Sequence, residues 1–278
     1  MRILVFGATG MLGQDLVSTL AEDDVVGLSS KDVDLRDAQQ VLFAVQQARP
    51  EWVVLSAAYA DVDGCEKDPA KALAVNRDGA AHVARATAQI GSRLLFISSD
   101  YVFDGEKRTP YETGDPRNPI NVYGRSKAEA ESLLLEITPD CCIVRTSWLF
   151  GVGGKCFPDT MLKLARTQPE LRVVDDQHGC PTYTLDLSGA IAGLIRKQAS
   201  GIVHVTNGGR CSWFEFARAT FAARSPLTKV IPVTTAEFPR PARRPPYSVL
   251  SGRSLQQFGI QLPDWQDALT RYLHQRND

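Results

Sequence analysis

The sequence predicts an α/β protein with a doubly wound parallel sheet and a smaller C-terminal lobe, on three observations. An apolar N-terminal run breaks into regularly spaced glycines, apolar strands recur with helical stretches between them, and the composition turns glycine-rich after residue 150. Strands separated by helices run parallel, because each crossover returns the chain to the same end of the sheet. At 278 residues, 44% hydrophobic and 23% charged, the chain can bury a large core and is an ordinary globular sequence rather than a disordered one. A formal net charge of −1 offers no general attraction for nucleic acid or acidic lipid, so neither nucleic acid nor a membrane is an expected partner. Any anion must be held by local geometry.

Ile3 to Phe6 read as a buried parallel strand. Gly7, Gly10 and Gly13 follow in the pattern G-x-x-G-x-x-G, with Thr9, Met11 and Leu12 between them. Gly7 opens a tight turn, Gly10 lets the backbone approach a phosphate, and Gly13 lets the next helix pack on its strand, whose free N–H groups then face an anion. This predicts a dinucleotide cradle of the Rossmann type; the Lys-Ser/Thr pair of a triphosphate-binding loop is missing. Asp24 to Leu28 read as the second strand, and after it Ser29, Ser30 and Lys31 stand where an acidic residue usually holds the ribose 2′-OH. Two hydroxyls and a cation suit a 2′-phosphate, which favours NADPH, with NADH as the alternative. Asp37 is the expected N-cap of a helix reaching Ala48. Glu51 to Ser56 give the third strand, and the small Ala57 and Ala58 beside Tyr59 let a cofactor pass over its end. One long helix is expected from Ala70 to Ile90, followed by the strand Arg93 to Ser99. Ligands of such sheets bind beyond the carboxyl ends of the strands, so Gly7, Ala57 and Ser99 are expected to line one crevice.

A helix starting at Asn121 places Tyr123 and Lys127, i and i+4, on one face. With a strand-end serine, this pair supports hydride transfer between a nicotinamide and a carbonyl or alcohol. An ammonium beside a tyrosine stabilises its phenolate and lowers a pKa that is otherwise about 10. Tyr123 would then supply the proton while Ser99 holds the carbonyl oxygen. Six cysteines without C-x-x-C spacing and four histidines without an H-x-x-x-H pair offer no metal site, and the thiols read as reduced core fillers. The apolar N-terminus is spent on the glycine loop within a few residues, so the chain is expected in the cytoplasm.

The glycine spacing resembles that of the short-chain dehydrogenase/reductase superfamily. Within it, Ser98 to Gly105, Tyr123 to Lys127, Arg145 to Gly151 and Gln177 to Thr182 resemble the dTDP-4-dehydrorhamnose reductases. The likeness runs nearly end to end and continues through Arg240 to Pro245 and Ser248 to Leu250. It implies NADPH- or NADH-dependent reduction of the 4-keto group of dTDP-4-dehydro-β-L-rhamnose, a nucleotide sugar, to dTDP-L-rhamnose. It also implies Ser99, Tyr123 and Lys127 as the catalytic trio, Asp34 and Leu35 near the adenine, and Ser99, Asp100, Val102 and Trp148 against the sugar. Core packing is the rival role for Val102 and Trp148. The family's usual threonine is Ser99 here, which keeps the hydroxyl. Some relatives form dimers around magnesium, and Asp15 could supply one ligand; the second position is Leu185, with Asp186 one residue off, so a homodimer is expected without a metal.

Residues 1–150 with about 184–209 are expected to form the cofactor domain, and 151–183 with 210–278 the substrate lobe. Arg240, Arg243 and Arg244 read either as a pyrophosphate contact or as a stiff, solvated connection. Two other functions compete: a dehydratase or epimerase of the same superfamily, and a non-catalytic regulatory subunit of methionine adenosyltransferase. A dehydratase needs Asp-Glu after the strand-end hydroxyl, where this chain has Asp100-Tyr101.

Overall fold

Near-continuous apolar runs can be buried on both faces only in a covered parallel sheet, and five of them form β1 (Arg2–Phe6), β2 (Asp24–Leu28), β3 (Trp52–Leu55), β4 (Arg93–Ser99) and β5 (Cys142–Thr146). The computed structural model describes residues 1–224 and 228–276. A sixth strand, Gly201–His204, joins β5, and the spatial order is Gly201–His204, β5, β4, β3, β1, β2, all parallel. The chain leaves β1 toward β2 on one side and returns to β3 on the other. A crevice therefore opens at the carboxyl ends of β1 and β3.

Two apolar layers cover the sheet. Leu12, Leu16 and Leu20, with Leu187, Ile191 and Leu194 of the helix Thr184–Arg196, pack on one face. Val41, Val45, Val83, Ala84, Ala130 and Leu134 pack on the other. The helix Ala38–Ala48 is capped by Asp37, whose carboxylate accepts from Gln39 N and Gln40 N. A separate core around Phe150, Phe216, Trp265 and Tyr272 holds the helices Phe157–Ala165, Trp213–Arg224 and Trp265–Gln275. Among the described residues no helix is long and apolar enough to cross a membrane.

The helical stretch expected from Ala70 to Ile90 is continuous but not uniform. It is Pro69–Leu73, a π-helical turn Ala74–Asp78, and Gly79–Gln89. The widened turn carries Asn76, whose Oδ1 accepts from Tyr59 N at 2.8 Å and whose Nδ2 donates to Tyr59 O and Ser126 Oγ, both at 3.0 Å. Those bonds tie the loop after β3 to the helix Val122–Ile137, which bears Tyr123 and Lys127.

That helix is anchored by a buried carboxylate. Glu131 Oε1 accepts from Ser98 Oγ of β4 at 2.5 Å and from Arg145 Nε of β5 at 2.9 Å, and Oε2 accepts from Arg145 NH2 at 2.7 Å. Glu131 is 0% and Arg145 1% exposed. A buried pair is costly to form but more costly to halve, because the survivor is an uncompensated charge. Arg117 also donates to Oε2, at 3.3 Å, and compensates part of the charge, so Arg145→Met is expected to lower unfolding stability in urea by at most about 3–5 kcal/mol, with Glu131→Gln on top of it recovering part of the loss.

Candidate active site

β1 ends in a turn that only glycine allows. Gly7 has φ 90°, and a Cβ there would meet Ala57 N at 2.7 Å, while a Cβ on Gly13 would meet Gly7 O at 2.0 Å. The helix Met11–Thr19 begins at Gly10 with no side-chain cap and no acidic residue in its first turn. Its first N–H groups are left to an external anion, so the loop fits a dinucleotide pyrophosphate.

Gly7, Thr9, Gly10, Met11, Leu12 and Gly13 line a cavity of about 640 Å³ together with Ser99, Asp100, Tyr123, Lys127 and Trp148. An adjoining groove of about 320 Å³ shares Gly7, Ser30, Ala57 and Ala58 with it and runs over Ser29, Asp34 and Leu35. Three of the expected residues do not line either space. Lys31 is exposed and off the groove, because Asp32 closes the turn by accepting from Ser29 N at 2.8 Å and Ser29 Oγ at 2.7 Å; Arg36 and Lys71 line the groove instead. Arg36 also pairs with Asp34 at 2.6 Å and holds that carboxyl down at about 2. The Tyr59 backbone is tied to Asn76, and its ring lies under the ammonium of Lys71, which lines the groove, at 4.6 Å. Val102 is fully buried with Phe103 and Tyr111, so core packing is its role.

The trio converges as local geometry requires. Asn121 caps the helix Val122–Ile137 by accepting from Gly124 N at 2.7 Å, and Gly124 lets the helix rest on the turn after β4, where a Cβ would meet Tyr101 O at 2.0 Å. Ser99 Oγ accepts from Tyr101 N at 3.1 Å and lies 3.0 Å from Asp100 Oδ1. Burial pushes the Asp100 carboxyl up to about 7, against the hydroxyls of Ser248 and Ser99. The expected lowering of Tyr123 by Lys127 is not what the protein alone presents. Burial raises the Tyr123 phenol, the Ser99 hydroxyl opposes this, and the Asp100 carboxylate adds to it. Lys127 is itself pushed down to about 7 by burial, opposed by Glu131, and its Nζ sits 3.9 Å from the Phe96 ring centre. A lysine so easily neutralised has little charge to lend.

Trp148 lines the cavity from a left-handed backbone, φ 48°. Its indole stacks on Trp213 at 3.5 Å and 7°, and Gly179 makes the room, since a Cβ there would meet Trp148 Cε2 at 2.4 Å. Trp213, Lys155 and Thr146 also line the cavity, and the buried Thr146 Oγ1 has no hydrogen-bond partner among the described residues. None of these three, nor Arg36 and Lys71, was singled out as a site residue in the sequence; Thr146 arrives from the end of β5 and the others from loops or helices away from the catalytic helix.

The arginines of the Pro-rich loop face the protein. Arg240 NH2 and Arg244 NH1 each contact Asp63 at 2.5 Å, and Ala242 N donates to it at 3.1 Å. The strap so formed is braced on Asp63 by Arg240 and Arg244, while Arg240 stays half exposed and Arg243 exposed. Asp186, the nearest carboxylate to the family's second metal position, is held by Arg271 at 2.6 Å and by Asn207 at 2.7 Å. Asp186 is thus engaged by two donors, whereas Asp15 Oδ2 is buried with no hydrogen-bond partner among the described residues.

A parallel sheet with a glycine cradle after β1 and Ser99, Tyr123 and Lys127 at one cavity defines an oxidoreductase of the short-chain dehydrogenase/reductase class. Residues 1–277 match the family described as RmlD substrate binding domain, and the chain belongs to it, the family of the dTDP-4-dehydrorhamnose reductases. It is 43% identical over 278 residues to the spore coat polysaccharide biosynthesis protein SpsK of Bacillus subtilis, covering 99% of this chain and 98% of that one. It is 40% identical to the dTDP-4-dehydrorhamnose reductase of Burkholderia thailandensis, covering 97% of each. Among solved structures, the Bacillus anthracis dTDP-4-dehydrorhamnose reductase in complex with NADP superposes with a TM-score of 0.95 at 39% identity over 99% of each chain.

The depressed Lys127 predicts a pH-dependent cost. Below about 7 the lysine is charged in both folded and unfolded chains and burial is fully penalised; as pH rises, the folded form releases its proton first and stability recovers until the unfolded lysine also titrates. Lys127→Met is expected to stabilise the protein by a few kcal/mol at and below neutral pH, the gain fading toward pH ~10, as read by thermal or urea unfolding across that range.

Proposed function

We propose that this chain reduces the 4-keto group of dTDP-4-dehydro-β-L-rhamnose to give dTDP-L-rhamnose, with NADPH preferred to NADH. The observation that carries the reading is the meeting of Ser99, Tyr123 and Lys127 with the Gly7–Gly13 cradle in one cavity, on a chain similar to reductases over its full length. NADPH, when bound, supplies the hydride. Tyr123 gives its hydroxyl proton to the carbonyl oxygen, and Ser99 donates a hydrogen bond to the same oxygen. Lys127, which has no carboxylate in hydrogen-bond contact among the described residues, is left to hold a ribose hydroxyl, and a bound polar partner restores the charge that burial takes from it. Thr146 Oγ1 is a further free hydroxyl for a ligand. Trp148 on Trp213 offers the flat apolar wall that a deoxysugar face requires. Tyr101 follows Asp100, so elimination lacks its second carboxylate and the dehydratase reading is not supported. We place the reaction in the cytoplasm and read the assembly as a homodimer formed without magnesium, since Asp186 is already engaged.

Tyr123→Phe keeps the ring and loses the proton, so turnover is expected to fall by the ~10²–10⁴ of a lost general acid, with NADPH affinity close to the parent's. Stopped-flow nicotinamide absorbance with the keto sugar tests this; a folded variant at the parent rate would reassign the chain to a binding role. Cofactor choice is expected to follow Arg36 and not Lys31. Arg36→Ala should weaken NADPH roughly tenfold or more, the worth of a charge-assisted hydrogen bond, and NADH much less. Lys31→Ala should leave both nearly unchanged in calorimetric titrations.

A further inference from the structure

Ser99 has one hydrogen to give, and the serving of a substrate carbonyl depends on where that hydrogen points. Its oxygen can accept two hydrogen bonds and donate one. One acceptor position is filled by Tyr101 N at 3.1 Å. Asp100 Oδ1, at 3.0 Å, takes the next contact. With Asp100 ionised, Oδ1 can only accept, so the hydrogen of Ser99 turns to the carboxylate and away from the cavity. With a proton on Oδ1 the bond reverses, both acceptor positions of Ser99 are filled, and its hydrogen turns to the cavity side, where the Tyr123 hydroxyl is its neighbour until a substrate carbonyl enters between them.

The other carboxylate oxygen is held by a residue from the far end of the chain. Ser248 Oγ lies 2.5 Å from Asp100 Oδ2, and Ser248 is 1% exposed. Its backbone is fixed: Ser248 N donates to His178 O at 2.8 Å, and Tyr111 N donates to Val249 O at 2.8 Å. No other acceptor for the Ser248 hydroxyl lies within reach among the described residues. A proton on Oδ2 would leave that hydroxyl hydrogen without a partner, at the cost of an unmade buried bond; a proton on Oδ1 leaves every hydrogen placed.

We propose that Ser248 and Asp100 are positioning residues that set the direction of the Ser99 hydroxyl: Ser248 donates to Oδ2, the carboxyl proton resides on Oδ1 and donates to Ser99, and Ser99 presents its hydrogen to the substrate carbonyl. The proposal rests on the reductase reading only for the identity of that carbonyl. The hydroxyls of Ser248 and Ser99 and the backbone N–H groups of Asp100 and Tyr101 favour the ionised carboxylate, and burial outweighs them. Tyr101 and Tyr123, both pushed up by burial, and Cys180, pushed up to about 11, carry no charge near neutrality. Arg244 acts on Tyr101 rather than on Asp100. Lys127 shares the cavity but is not among the groups that shift Asp100, whose carboxyl sits at about 7. The folded pKa is raised, so the proton is present below neutrality and lost as pH rises through it.

The test pairs turnover with infrared spectroscopy of the cofactor-free protein. Hydride transfer by the parent is expected to decline as pH rises through neutrality. Asp100→Asn, whose amide can donate to Ser99 and accept from Ser248, should flatten that decline. Ser248→Ala should slow transfer roughly 2–10-fold, the worth of one hydrogen bond, and move the decline to higher pH, because a donor to the carboxylate is lost; Ser248→Thr should restore both. Below neutrality the parent should show the carbonyl band of a protonated carboxyl, absent in Asp100→Asn and at higher frequency in Ser248→Ala. A decline that persists in Asp100→Asn belongs to Lys127 and overturns the proposal, as does a missing carboxyl band. If the band behaves as expected while the parent leaves the keto sugar untouched, the proton arrangement stands and the reductase reading fails.

Discussion

The buried carboxylate of Glu131 is the contact on which the rest of the site depends. It joins β4 through Ser98, β5 through Arg145, and the helix of Tyr123 and Lys127, on which it sits one turn below Lys127. A helix held by apolar packing alone can slide or rotate by small amounts at modest cost. A carboxylate bonded from two strands at once fixes its rotation, because each bond has both a distance and a direction. The same group opposes the loss of the Lys127 charge that burial drives, so one residue bears on both the place and the protonation of that lysine.

Above that anchor the cavity is assembled from two kinds of surface. The sheet side contributes backbone: glycine turns whose missing Cβ atoms let β1, β3 and the first helix come within contact of each other. The opposite wall contributes large side chains, one of them on a strained backbone. Trp148 adopts a left-handed backbone conformation that is costly for a bulky residue and is paid for by its stack on Trp213 and by the gap at Gly179. Residues on either side of the cleft are thereby held by different forces, hydrogen-bonded backbone below and aromatic packing above.

Polar groups in this cleft are kept short of full satisfaction. Thr146 Oγ1 has no partner among the described residues, Lys127 rests on an aromatic ring, and the first helix lacks a cap. Each is a cost to the folded chain alone and a place for a ligand atom. The surrounding arginines follow the opposite rule. Arg240 and Arg244 are spent on Asp63, and Arg271 on Asp186, so they brace loops and are not available to an anion.

What the sequence determined by itself is whatever depends on neighbours in the chain. The glycine cradle, the strand ends, the Asp37 and Asn121 caps and the Tyr123–Lys127 face all arise from residues within about two helical turns, where geometry follows from spacing. The tertiary structure alone decided contacts between distant segments. Lys31 and Arg36 are five residues apart with the same charge, and a turn closed by Asp32 determines which of them meets the groove. Val102 and Trp148 both follow sheet strands, yet one enters the core and the other the cavity. Ser248 reaches Asp100 across 148 residues. Such meetings are set by how whole elements pack, and no local pattern encodes them, because the free energy that selects them is that of the finished core.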